Sequence, residues 1–216
     1  STGLNLRPGF QKSAYRSQGN AMVSKLDALQ NAQWLNPPAD EIWIDAGLQF
    51  RTGFKTDFWQ KSWYGFQRDD GHFLGIDAPA EFSASLTYEA AYTQLYDQAG
   101  LMLRIDADNW IKAGIEFSDG VTNVSTVVTR HGASDWSVVA MPGLVGRQTV
   151  RFTRVGRAVL VHFRLSTGGW QLTRLAAFPD GSARIGPMAC TPERSGLPVT
   201  VTAFDISPPV DNALHG

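Results

Sequence analysis

The sequence predicts an all-β fold, a sandwich or barrel of about a dozen short strands. Three observations carry that prediction. Apolar and polar residues alternate with period two along most of the chain, as they do on a strand that buries one face. Turn dipeptides punctuate the alternation at Asp70-Gly71, Asp119-Gly120, Gly168-Gly169 and Asp180-Gly181. The 21 glycines and 11 prolines supply frequent breaks, while a hydrophobic fraction of 43% is enough for a sizeable core.

Taken in order, residues 1–21 are polar and lack an apolar signal-type stretch. They read as a leader or tag-like segment outside the fold, with a native start at Met22. One stretch has helical spacing, from Met22 to Gln33, where Val23, Leu26, Leu29 and Ala32 recur before Asn36-Pro37-Pro38. Strand alternation is clearest over Leu48–Phe54, Phe82–Tyr88, Val150–Arg154 and Val159–Leu165. The segment Phe58–Phe66 is dense in aromatics, and Trp59 and Trp63 are expected in the core. No break in composition divides the chain, so residues 22–208 are expected to form one sandwich domain and 209–216 a tail.

Nineteen basic against twenty acidic residues give a formal net charge of -1. Such a chain has no long-range field to steer it to nucleic acid or an anionic membrane, and neither is an expected partner. No run approaches the roughly 18 apolar residues that a membrane helix requires. A single cysteine, Cys190, excludes an internal disulfide and fits a reducing, cytoplasmic setting.

Strand parity locates the chemistry. In Tyr96–Asp106, Leu101, Leu103 and Ile105 share one face, and Tyr96, Gln98, Met102 and Arg104 take the other. A short turn at Ala107-Asp108 leads to Trp110–Phe117. There Ile111, Ala113, Ile115 and Phe117 are apolar, and Trp110, Lys112, Gly114 and Glu116 face the opposite way. This is a hairpin with one core face and one aromatic-polar face. The plain alternative is the solvated side of an antiparallel sheet. Rings for stacking beside polar groups for orientation suit a sugar or a similar polar ligand better. The candidate ligand-binding residues are Tyr96, Gln98, Arg104, Trp110, Lys112, Glu116 and Trp136, with Arg68 and His72 nearby in the pattern. His162 and Arg164 lie on the polar side of their strand and are weaker candidates.

The runs Tyr96–Arg104, Trp110–Glu116, Ser134–Ser137 and Gly186–Arg194 resemble, in order, a domain-of-unknown-function family named after a fungal regulator of enolase. The resemblance spans Leu35 to Ile206. It implies a concanavalin A-like lectin/glucanase fold, a jelly-roll sandwich of two antiparallel sheets, one concave, here with a short N-terminal helix. It implies no reaction. Where the family carries Thr-His-Tyr-Gly, this chain has Ser62-Trp63-Tyr64-Gly65, which puts any role of that histidine in doubt. Arg68, Gly71, His72 and Phe73 fit the pattern.

Glycoside hydrolysis normally needs two carboxyl groups roughly 5 to 10 Å apart. The glucanases that the resemblance brings in carry Glu-x-Asp-x-Glu on one strand; the nearest match here, Glu41 and Asp45, shares a strand face at about 13 Å, which is too wide. Glu116 is the one carboxylate on the central polar face, and a second would have to arrive through packing, from Glu89 or Asp106. Were the protein an enzyme, Glu116 and Lys112 would carry the proton chemistry; an exposed ion pair between them is the simpler expectation. Cys190 reads as a small buried residue. No metal-ligand spacing or cofactor motif is present, and Asp69-Asp70-Gly71 and Asp106–Asp108 are ordinary turn chemistry. Three functions therefore stand at this level. The first is a weakly catalytic or non-catalytic domain binding a carbohydrate or sugar phosphate. The second is a regulatory domain acting on a metabolic-enzyme partner, and the third a sugar-processing enzyme without the usual carboxylate pair. The oligomeric state is not encoded in this pattern.

Overall fold

The computed structural model describes residues 25–215. Within them the alternating segments become strands, numbered here in chain order. The first half holds β1 (Gln33–Leu35), β2 (Asp40–Ile44), β3 (Gly47–Arg51), β4 (Phe58–Gln60), β5 (Gln67–Asp69), β6 (His72–Asp77), β7 (Phe82–Ala90) and β8 (Gln98–Asp106). The second half holds β9 (Asn109–Ser118), β10 (Val121–Arg130), β11 (Ala133–Ala140), β12 (Gln148–Val155), β13 (Ala158–Arg164), β14 (Trp170–Ala177), β15 (Arg184–Cys190) and β16 (Pro198–Ser207). One seven-stranded sheet runs β1-β6-β15-β8-β9-β10-β11, and a second runs β14-β13-β12-β7-β16-β3-β2. All pairings are antiparallel, and the two sheets form a jelly-roll-type sandwich. Strands β4 and β5 stand apart as a two-stranded ribbon. No helix among the described residues is long and apolar enough to cross a membrane.

Parity sorts the residues as the alternation predicts. Ala99, Leu101 and Leu103 of β8 and Ile111, Ala113 and Ile115 of β9 enter the core between the sheets. They meet Leu86, Val150, Phe152, Val161 and Phe163 of the second sheet. Each leucine, isoleucine, valine or phenylalanine so buried contributes about 1.5–3 kcal/mol. The turn at Ala107-Asp108 forms as expected, with Asp106 accepting from the Asp108 amide at 2.9 Å. Gly114 answers a close backbone approach. It faces Gly100 across the β8–β9 pair, where a Cβ would lie 2.0 Å from the Ala99 carbonyl oxygen.

The N-terminal helix is a correction. Among the described residues of that stretch only a 3-10 turn forms, over Asp27–Leu29, and Gln33–Leu35 joins the first sheet beside β6. A spacing of three residues serves a 3-10 turn as well as an α-helix, and here it places Leu26 and Leu29 in the core. The reading of residues 1–21 as a leader lies outside the described residues.

The aromatic-polar face of the β8–β9 hairpin points away from the main core, yet half of it is not solvated. The β4–β5 ribbon lies over it and closes a second apolar cluster of Phe58, Trp59, Phe73, Met102, Trp110, Val127, Met188 and Cys190.

Candidate ligand-binding site

The ribbon is fixed to the sheet by polar ties at both ends. Arg104 donates to both carboxylate oxygens of Asp69 at 2.7 Å. The Gln60 amide donates to Ser134 Oγ at 2.9 Å, and Gln60 Nε2 to the Ala107 carbonyl at 3.0 Å. Lys112 Nζ reaches up from the sheet to the Phe58 carbonyl at 2.8 Å and to Asp57 Oδ1 at 3.3 Å. So held, the ribbon covers the Met102–Trp110 end of the face and leaves the other end open.

At that open end lies a cavity of about 200 Å3. The ribbon contributes Trp59, Tyr64 and Phe66, and the sheet contributes Tyr96, Gln98, Lys112, Glu116, Val127 and Trp136. Asp57, Pro192 and Glu193 complete its rim. Trp59 stands edge-on to Tyr64 at 5.5 Å, and Tyr64 stacks with Phe66 at 5.4 Å. Across the opening Trp136 meets Tyr96 edge-on at 6.4 Å.

The polar floor is buried. Lys112 is 3% exposed and Glu116 5%. Burial works against the Lys112 ammonium, but the nearby carboxylates, Asp57 foremost, outweigh it and hold the pKa above the ordinary lysine value. Burial also raises Glu116 above the usual carboxylate range, against the opposing pull of Lys112 and Ser125. Ser125 Oγ donates to Glu116 Oε2 at 2.7 Å and accepts from Trp136 Nε1 at 3.1 Å, so the rim indole and the floor carboxyl share one relay. The Tyr96 and Tyr64 hydroxyls lie 3.0 Å apart, and chiefly through that bond Tyr96 is pushed up to about 12. Tyr96 holds a left-handed backbone, φ 63°, which a non-glycine residue adopts at a cost of about 1–2 kcal/mol.

Tyr96, Gln98, Lys112, Glu116 and Trp136 thus meet at one cavity. The other four candidates do not reach it. Trp110 is fully buried, packs against Phe58 at 6.0 Å and donates Nε1 to the Ala107 carbonyl at 3.1 Å, so it offers no stacking face. Arg104 is spent on Asp69. Arg68 donates to Asp70 at 2.8 Å and to the Lys55 carbonyl. His72 is a structural clip, with Nδ1 2.6 Å from the Asn36 carbonyl oxygen and Nε2 accepting from the Gly53 amide at 2.8 Å. The reason is length. Parity puts Gln98 and Arg104 on one face, but six residues along a strand separate them by about 20 Å.

Three further expectations change. Lys112 and Glu116 are not an exposed pair; both are buried, and the ion-pair partner of Lys112 is Asp57. The additional carboxylates come from Asp57 and Glu193. Glu89 pairs with Arg147 on the second sheet, and Asp106 stays in the hairpin turn. Trp63 is 94% exposed at the ribbon tip, whereas Trp59 is buried and lines the cavity as well. The residues missed, Asp57, Tyr64, Phe66, Ser125 and Glu193, come mostly from segments far in sequence. Only the aromatic density of Phe58–Phe66 hints at two of them. Glu41 accepts from Trp34 and Trp43 at 2.8 Å, distant from this site. Cys190 is fully buried, and burial pushes its thiol far above the ordinary range. Among the described residues no group of three or more His, Cys, Asp or Glu is placed to hold a metal ion.

Fold and cavity together define a β-sandwich protein with a ribbon-roofed, aromatic-walled cavity on the outer face of one sheet. Residues 34–209 match the family described as protein of unknown function (DUF1349), and the chain belongs to that family. It is 42% identical over 194 residues to "Regulation of enolase protein 1" of Saccharomyces cerevisiae, covering 89% of this chain and 97% of that protein. A crystal structure of a functionally unknown Saccharomyces cerevisiae protein superposes with a TM-score of 0.80 at 41% identity, over 84% of this chain and 98% of that one. A structure described as Bacteroides ovatus Xyloglucan PUL GH43B shares the fold at TM-score 0.61 and 17% identity, over 75% of this chain and 32% of that one.

Proposed function

We propose that this protein binds a single ring of a neutral carbohydrate in the Trp59–Trp136 cavity and holds it without strong catalysis. The observation that carries the reading is the meeting of aromatic walls and a buried polar floor in a space sized for one ring rather than a chain. Trp59, Tyr64 and Trp136 suit the C–H faces of a sugar, and Gln98, Lys112 and Glu116 suit its hydroxyls. The charge balance favours a neutral ring over a sugar phosphate. Asp57 answers the charge of Lys112, and Glu116 and Glu193 add further carboxyl groups, so a phosphate would meet no unspent cation. Asp57 is tied to Lys112 and Glu116 to Ser125, which favours holding over turnover.

Calorimetric titration with neutral mono- and disaccharides, beside their phosphates, tests this. A neutral sugar should bind, and Trp136→Ala or Glu116→Gln should each weaken it by about tenfold, the value of one stacking contact or one charge-assisted hydrogen bond. Tighter binding of the phosphates, or unchanged affinity in Trp136→Ala, would count against the reading.

A second reading has its own support. The likeness to the yeast regulation-of-enolase protein extends over 97% of that protein, which favours a shared role in adjusting a metabolic enzyme. It predicts that enolase activity in a cell extract changes when this protein is added and that the change survives Trp136→Ala.

A further inference from the structure

The outer face of the second sheet carries a different arrangement. Val150, Phe152, Val161 and Phe163 turn into the core, so Arg151, His162 and Arg164 project on the opposite side. Arg151 and His162 are direct cross-strand neighbours on β12 and β13, and Arg164 pairs with Trp170 of β14. The Trp170 ring lies 4.3 Å from the Arg151 guanidinium carbon and 5.4 Å from that of Arg164.

What sets this cluster apart is its lack of an acid. Arg151 is 6% exposed, yet among the described residues its Nε and Nη2 have no hydrogen-bond partner, and neither ring nitrogen of the fully buried His162 has one. Neither Arg151 nor Arg164 has a carboxylate within ion-pairing distance among the described residues. Arg104, Arg174 and Arg194, by contrast, are each bonded to an aspartate. Across the sheet from Arg151 come Ser85 and then Asp205, two strand spacings away at about 10 Å. A little-exposed guanidinium without a counter-ion is destabilising, because its desolvation is not repaid by a paired charge.

We propose that this face binds an oxyanion of the phosphate or sulfate type, held by Arg151 and Arg164 with His162 beneath and Trp170 as a movable cover. The guanidinium fork matches two oxygens of such an anion, and two arginines on adjacent strands match its charge. Because the indole lies over Arg151, it turns aside as the anion enters. This site is independent of the sugar cavity, which lies on the other sheet.

The test is thermal stabilisation of the full chain by inorganic phosphate and by sulfate, each against sodium chloride at equal ionic strength, with tryptophan fluorescence followed in parallel. A sugar phosphate and phosphate-bearing lipid vesicles, run alongside, show whether the anion is preferred free or as an ester. Wild type should be stabilised by the oxyanions beyond chloride. Arg151→Met and Arg164→Met should each lower the affinity by at least about tenfold. Arg151→Met should fold at least as stably as wild type without ligand, since it removes an uncompensated charge. Arg164 is exposed, so its variant serves as the second arm should Arg151→Met misfold. No stabilisation beyond chloride, or equal stabilisation in both variants, would overturn the site.

Discussion

Lys112 illustrates how one side chain serves both fold and site. Its ammonium clamps the ribbon through the Phe58 carbonyl and Asp57, and it also forms part of the cavity floor. Lys112→Met leaves Asp57 without its cation and should cost about 3–5 kcal/mol in urea denaturation. Adding Asp57→Asn should recover part of that loss, because paired residues are not additive. The two tryptophans of the aromatic-polar face should separate cleanly. Trp110→Ala empties the second cluster and should destabilise by about 3–5 kcal/mol, with little effect on ligand affinity in the fraction that folds. Trp136→Ala should do the reverse, weakening the ligand while the urea midpoint stays near wild type. Parity placed both residues on the same face from sequence. It could not tell that the ribbon covers one of them.

At the scale of elements, the β4–β5 ribbon decides where the face is open. Its fit depends on Gly71, where an added Cβ would lie 2.4 Å from the Phe58 ring and 2.6 Å from Cys190 Sγ. Gly71→Ala should therefore cost about 1–3 kcal/mol through overpacking. Hydrogen exchange should quicken at the Gln60 amide, whose bond to Ser134 ties the ribbon down. If exchange at that amide stays unchanged while global stability falls, the ribbon is not the element that yields. The ribbon's three-residue strands were illegible in sequence, because three residues are too few to show a period. What was legible was an aromatic density that no single strand could bury. The 3-10 turn failed for a related reason, since two leucines three apart fit either helix.

For the whole molecule, two buried histidines tie stability to pH. Burial, and then Arg151, pushes His162 down to about 4 from an ordinary 6.5. Burial also lowers His72. Between those limits the unfolded chain binds protons that the native state refuses, so stability is full above about pH 6.5 and is lost as pH falls toward about 4. Glu116, raised by burial, acts in the opposite sense, so the informative quantity is a difference. The fall in Tm from pH 7.5 to 4.5 should be smaller in His162→Leu than in wild type. An identical fall would mean that His162 is protonated in the native state.

The sequence alone determined the all-β class, the inner faces of β8 and β9, the hairpin they form and four residues of the cavity, Tyr96, Gln98, Lys112 and Glu116. All of these follow from a period of two, which is local and repeats along every strand. The tertiary structure decided which part of the polar face stays open, that Asp57 rather than a neighbour on the strand answers Lys112, and that Arg151 has no acid beside it. Those outcomes depend on where strands distant in sequence come to lie. Antiparallel order and register carry that information, and no single segment contains it.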